Sequence, residues 1–260
     1  MEPFTVLTYN VRHATLDDGR DAWPRRRPGV RALLREVAPA VLGLQESTGE
    51  QHADIAADVP HYDWVGVAAQ PGSGEHNPIG AGTRFEVQES ETAWLSETPT
   101  VAGSVGWDAA YARVLTRVTL ESEAGQRLTV FNTHFDHRGP EARAESARLV
   151  RRRVDAVPPD QPAVVLGDLN CRPESTPYAV LTGEGFDRSL RDARRAADSV
   201  AGPETTVTSF TDLDPGRRLD HVFVTDDLDV RRYATLDRTD DAGRYPSDHL
   251  PVAVSLAVDR

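Results

Sequence analysis

The sequence predicts a mixed α/β fold in which two β-sheets pack face to face, each covered by helices on its outer side. Three observations predict it. About ten β-like runs outnumber the helical ones. Neighbouring runs are joined in some places by short turns and in others by helices, the mixture that puts helices on one face of a sheet. Some runs are apolar throughout, as in strands buried on both faces. With about ten strands, two sheets fit better than one. The chain has 260 residues, 39% of them apolar, enough for a substantial core. No linker, low-complexity tract or short-period repeat interrupts it, so one domain over 1–260 is expected.

In order, Phe4 to Asn10 is a β-rich run that ends in an amide. Arg12 to Arg20 is polar and loop-like. Pro24 fits the first turn of a helix, and Val30, Leu33, Leu34 and Val37 continue it at helical spacing until Pro39. Val41 to Glu46 is a second buried strand. Ser47 or Thr48 can cap the next helix, to about Ala57, with Glu50 and Gln51 near the third helical position. Tyr62 to Val67 reads as a strand, 70–84 as a Gly- and Pro-rich loop, Phe85 to Leu95 as a long strand and 96–110 as a loop. Arg113 to Leu120 and Leu128 to Phe135 are strands joined by a turn around Glu123 to Gly125. Ala144, Ala147, Val150 and Val154 space a helix over 141–157, ended by Pro158 and Pro159. Ala163 to Asp168 is a buried strand running into Gly167, and it presents Asp168 and Asn170 together at its end. A short helix over about 175–181, a polar helix or turn over 187–197 and a long loop over 198–217 with one β-like piece, 205–211, follow. Leu219 to Thr225, Val230 to Leu236 and Leu250 to Val258 complete the strands.

The formal net charge is −12, and all 29 basic residues are arginine. That pattern fits either a GC-rich genome or a salty cytoplasm in which an acidic surface keeps the protein soluble. It argues against a long nucleic acid as partner. No run reaches the roughly 18–20 apolar residues of a membrane span. Met1 to Phe4 lacks a basic segment followed by an apolar one, so no signal peptide and a cytoplasmic location are expected. The one cysteine, Cys171, excludes an internal disulfide and a cysteine-based zinc site, and reads as a packing residue.

Polar groups of one chemical type sit at the strand ends: Asn10, Glu46, His134, Asp168 with Asn170, and Asp248 with His249, while Asp220 opens a further strand. Carboxylates and amides without cysteine suit a hard cation such as Mg²⁺ or Mn²⁺. Histidines beside carboxylates supply acid and base groups near neutral pH. Together they read as metal-assisted phosphoester hydrolysis. Each motif alone is weak, since a polar residue after an apolar run is commonly just a strand end. Their order and placement carry the signal.

The set Thr8 to Asn10, Leu44 to Glu46, Asn132 to His134, Gly167 to Asn170, Leu219-Asp220 and Ser247 to His249 resembles the endonuclease/exonuclease/phosphatase superfamily, with its deoxyribonuclease-I-like fold. The motifs follow the family order and span nearly the whole chain. The resemblance implies an α/β four-layer sandwich, two mixed β-sheets face to face with helices outside, and an Mg²⁺- or Mn²⁺-dependent phosphoester hydrolase. It implies that Glu46 is the principal metal carboxylate, with Asn10 and Asp248 beside the metal. Asp168 would aim or deprotonate the attacking water and Asn170 hold the phosphoryl oxygens. His249 would act at the scissile phosphate with Asp220 as its carboxylate partner. His134 would pair with an upstream glutamate, for which Glu75 is the candidate.

The chain departs from the family after Glu75, where His76 to Thr83 is glycine-rich and lacks the usual aromatic strand. His76 and Asn77 are equally readable as loop surface. Trp94 to Pro99 and Gly106 to Arg113 resemble a subgroup of small microbial members. Arg113 is a candidate phosphate contact or a structural ion pair, and Asp136 shares the site face or lies in a solvated loop. Asp108 and Trp107 are candidates for the pocket wall, though Trp107 could simply pack. The basic runs 25–27 and 151–153 read as solvated helix faces rather than nucleic-acid contacts. The substrate stays open among DNA, RNA, a nucleotide, a sugar phosphate and a phospholipid headgroup. The long basic insertions of a DNA-repair member are not evident, which favours a small phosphodiester or a single-stranded nucleic-acid end. No membrane or obligate protein partner is expected. The alternative is a non-catalytic binding module that kept the fold, which would be expected to have lost some of Glu46, Asp168, Asn170, Asp220 and His249.

Overall fold

The computed structural model describes residues 2–14 and 18–258. Its elements in chain order are β1 (Phe4–Asn10), α1 (Trp23–Val37), β2 (Val41–Gln45), α2 (Gly49–Asp58), β3 (Tyr62–Val65), β4 (Ala68–Gln70), β5 (Ser73–His76), β6 (Ile79–Gly82), β7 (Phe85–Trp94), β8 (Val114–Ser122), β9 (Arg127–His134), α3 (Pro140–Asp155), β10 (Ala163–Asp168), α4 (Thr176–Thr182), β11 (Arg191–Asp192), α5 (Ala193–Ala196), β12 (Val200–Ala201), β13 (Asp220–Val224), β14 (Leu228–Thr235) and β15 (Val252–Val258). Among the described residues one sheet has the order β12-β14-β15-β1-β2-β6-β3 and the other β11-β13-β10-β9-β8-β7, with β4 and β5 as a separate hairpin.

The apolar strands are explained by what lies on each side of them. Val164 and Leu166 of β10 meet Val6, Val41, Ile79, Val130 and Val254 between the sheets. Val165 turns the other way, onto Phe131, Val150, Val154 and Leu181 beneath α3 and α4. In the first sheet Leu7, Leu42 and Leu44 face Val30, Leu34 and Ile55 of α1 and α2. Each such side chain contributes about 1.5–3 kcal/mol of burial, so both faces of these strands are apolar and period-2 alternation is lost. At Gly43 the two sheets leave no room for a side chain: a Cβ there would lie 2.1 Å from Leu166 Cδ1.

The helix ends follow the local signals. Pro24 sits in the first turn of α1, which closes with Ala38 in the left-handed region. Thr48 and Gln51 form a reciprocal capping box at α2. Two expectations are corrected. The stretch 70–84 is not one loop but the hairpin β4–β5 and the strand β6, which pairs with β2 on one side and β3 on the other. Gly80 and Gly82 carry no side chain to mark a period, and Gly80 leaves room for the Trp64 ring. The piece 205–211 forms no strand; Val207 bridges to His249 and Thr208 to Leu213. The stretch 187–197 holds the short strand β11 before α5, and the loop 198–217 begins with the short strand β12 beside β14. Elsewhere boundaries move by a residue or two, as helix and strand ends do.

Strand direction gathers the polar ends. β1 and β2 run parallel with Asn10 beside Gln45, and β9 and β10 run parallel with His134 beside Asp168. β13 runs antiparallel to β10, so its first residue, Asp220, stands opposite Asp168. β15 runs antiparallel to β1, which brings the 247–249 loop to the same end. Gly167 makes the last step of β10 possible. Its φ is +151°, and a Cβ there would lie 2.0 Å from the Thr133 carbonyl oxygen. Gly167→Ala should therefore cost about 3 kcal/mol from strain and overpacking, read as a lowered urea midpoint.

Candidate active site

The strand ends line a cleft of about 700 Å³. Asp168, almost fully buried at 1% exposure, is its centre. One oxygen accepts the Asn170 backbone N–H at 2.9 Å, while the other accepts Asn10 Nδ2 at 3.0 Å. That second oxygen lies 3.5 Å from His134 Nε2 and 3.7 Å from His249 Nε2. Burial works against the charged carboxylate, but His249 and His134, with the hydrogen bonds, hold it below its ordinary range. Asn170 follows in a left-handed turn (φ 46°) and places Nδ2 2.9 Å from both His134 Nε2 and the Phe135 carbonyl. Asp168 and Asn170 both line the cleft, Asn170 through this turn rather than a continued strand.

His249 Nδ1 lies 2.8 Å from Asp220 Oδ2, and the Asp220 side chain is fully buried. Desolvation opposes a charged ring, yet the carboxylates of Asp220 and Asp168 outweigh it and hold His249 protonated well above its usual range. Glu46, at φ 61°, accepts Asn10 Nδ2 at 2.9 Å and the His13 backbone N–H at 3.0 Å. His134 Nδ1 is 3.3 Å from Glu75 Oε2, and Arg113 Nη1 bonds both, at 2.8 and 2.7 Å. His134 and Arg113, against the cost of burial, pull Glu75 well below the carboxylate range.

Among the described residues, two cation-ready groups result. Glu46, His134 and Asp168 can bring ligand atoms within 4.8 Å of one another, as can Asp168, Asp220 and His249. The second is already satisfied by the charge-assisted His249–Asp220 bond. The first, with two carboxylates held by N–H donors only, has the chemistry to take a divalent cation. Asp248 lines the same cleft, 3.1 Å from Arg12 Nη1. Burial, with the Glu46 charge added, raises its carboxyl against the pull of His249. Positive charge brought to this group would relieve that repulsion.

Three assignments change. Asn10 Oδ1 is occupied by the Arg12 backbone N–H at 3.0 Å, so the amide turns its NH₂, which cannot ligate a cation, toward Glu46 and Asp168. Asp136 does not line the cleft. Its oxygens take backbone N–H groups of Ala110, Arg138 and Gly139, which fixes the 106–110 loop against the start of α3. Asp108, a candidate for the pocket wall, instead accepts the Ala142 N–H at 2.7 Å in α3.

The basic runs also change. Arg26, buried, donates to Val11 O, Pro246 O and Arg12 O, stitching the loop after β1 to the loop carrying Asp248. Arg151, buried too, donates to Leu181 O. Sequence reasoning missed Arg12, His13, Tyr111, His137 and Arg217, all lining the cleft. For Arg12 and His13 the signal was nearness to Asn10.

His221, next to Asp220, faces away from the cleft, stacks on Phe223 and bonds Cys171 O at 2.9 Å. Burial first, then Arg218, push its pKa down to about 4. The unfolded chain, with an ordinary value near 6.5, binds the extra proton between about pH 4 and 6.5. Stability is therefore whole above that window and falls by about 3 kcal/mol as pH drops through it. Urea unfolding at pH 7 and 4.5 should show the loss, and His221→Phe should flatten it. Burial pushes the Cys171 thiol up to about 12, which leaves it a packing residue.

A model described as Endonuclease/Exonuclease/phosphatase family matches residues 7–249. The endonuclease/exonuclease/phosphatase of Bacteroides vulgatus has a TM-score of 0.94 at 30% identity, over 100% of both chains. The mannosyl-6-phosphatase of Bacteroides thetaiotaomicron VPI-5482 has 0.90 at 32%, over 98% of this chain and 99% of its own. The D. rerio TDP2, complexed with a single-strand DNA product, has 0.79 at 19%, over 99% and 100%, a likeness of fold alone. None of the curated proteins matches the sequence. The match runs through every strand end that builds the cleft, and the chain belongs to the endonuclease/exonuclease/phosphatase family as a metal-dependent phosphoester hydrolase.

Proposed function

We propose that the chain hydrolyses a small phosphomonoester, of the sugar-phosphate class, with Mg²⁺ or Mn²⁺, in the cytoplasm and as one domain over 1–260. The observation that carries the reading is the convergence of Asp168 on His249, His134 and Asn10 at 3.7, 3.5 and 3.0 Å. A carboxylate aimed between two imidazoles can orient a water for in-line attack, and protonated His249, set by Asp220, donates to the phosphoryl oxygen. Glu46, in its group with Asp168 and His134 and with Asp248 in the same cleft, would hold the cation, which would neutralise charge on the phosphoryl oxygens. Asn170, fixed by the Phe135 carbonyl, completes the phosphate side, and the Glu75–Arg113 pair orients His134. Every residue a degenerate binding module would lose is in place, which weighs against that alternative.

The small substrate is supported by the likeness to the mannosyl-6-phosphatase and by the net charge of −12, unfavourable for a polyanionic strand. The test is a substrate panel: mannose-6-phosphate, p-nitrophenyl phosphate, bis-p-nitrophenyl phosphate and single-stranded DNA. Higher kcat/KM on the monoesters is expected; preference for the diester or the strand would sink the assignment.

A further inference from the structure

We propose that Tyr111, backed by His137, is the platform on which the sugar ring of a hexose monophosphate lies while its phosphate occupies the Asp168–His249 end of the cleft. The inference rests on the phosphomonoesterase reading above and names the residue that selects the ring.

Tyr111 lines the cleft yet is 50% exposed. The ring is held from one side. His137 stacks on it at 5.8 Å between centroids and 20° between planes, and the Arg113 guanidinium lies 6.0 Å from its centroid. Arg113 Nη2 and His137 Nδ1 are only 3.5 Å apart, too close to stand on opposite faces of a ring. Both therefore back the same face and leave the other for a ligand. Arg113 itself is buried and tied to Glu75 and His134, so the platform stands one side chain away from the catalytic histidine.

An aromatic face presents negative potential to the C–H edge of a saturated ring. Gln70 and Arg217, also lining the cleft, carry side-chain donors suited to hydroxyls. A nucleobase would stack on the same face; the Gln70 and Arg217 donors, which suit ring hydroxyls, favour the sugar.

The experiment compares wild type, Tyr111→Ala and Tyr111→Phe on mannose-6-phosphate, on ringless glycerol-3-phosphate and on adenosine monophosphate. Tyr111→Ala should raise KM for the hexose phosphate about tenfold with little change in kcat. It should leave the glycerol phosphate KM unchanged, and Tyr111→Phe should behave as wild type. Calorimetric binding of mannose-6-phosphate to Asp168→Asn, with and without Tyr111→Ala, reads the platform without turnover. An unchanged hexose KM, an equal rise for glycerol phosphate, or a Tyr111 effect confined to the nucleotide overturns the proposal. Wild type that turns over no monoester, beside Tyr111-dependent binding in the calorimeter, overturns the phosphatase reading and leaves the platform standing.

Discussion

Asp168→Asn should lower kcat by about 10²–10⁴, the range for a positioned acid–base group, with KM little changed. The substitution keeps volume and removes charge at the point on which two imidazoles and the Asn10 amide converge. Each of those neighbours prefers an anion, so an amide cannot accept from all of them. His249 would keep Asp220 as its remaining close carboxylate partner and its protonated form would be less favoured. Phosphate release and thermal unfolding measured on the same purified variant separate the effects. A folded Asp168→Asn with near-normal turnover would refute the role assigned to this carboxylate.

The second large effect is expected at Glu46. Glu46→Gln should weaken binding of Mn²⁺ or Mg²⁺ by at least about the 10–100-fold that loss of an outer-shell partner alone costs. Activity should fall with it and recover in part as the metal concentration is raised. The reason is local. The left-handed turn after β2 holds the Glu46 oxygens on the His13 N–H and on Asn10 Nδ2, aimed into the cleft. A glutamine amide would set a donor against one of those donors and bring no charge. Calorimetric metal titration checks this directly. Unchanged affinity would move the cation site away from Glu46.

The strand ends were legible because two signals coincide at each. An apolar run must end somewhere, and a carboxylate or histidine at that end is costly to bury without a partner. That reasoning located Glu46, His134, Asp168, Asp220 and His249 at one end of the sheets. The two-sheet architecture was legible from the number of strands, about ten, and Val164 to Leu166 was legible as a strand buried on both faces, where its neighbours lie. What was hidden depends on shape or on backbone partners. β6 is hidden because Gly80 and Gly82 show no periodicity while the strand pairs on both sides. The Asn10 amide orientation is set by the Arg12 N–H, which no residue type announces. Asp136 looked like a site residue by spacing from His134, yet its oxygens are taken by backbone N–H groups. Arg26 and Arg151 looked like solvated charges, and both are buried among carbonyls that helices and loops leave unpaired. Tyr111 carries no pattern at all; only its stacking on His137 sets it apart.

The most direct test of the central claim is phosphate release from mannose-6-phosphate by the wild-type protein, followed as Mg²⁺ or Mn²⁺ is titrated into EDTA-treated enzyme. Turnover should be absent in EDTA, return saturably as the metal is added, and stay unrestored in an Asp168→Asn control. Full turnover in EDTA, or none at saturating metal, would contradict that claim.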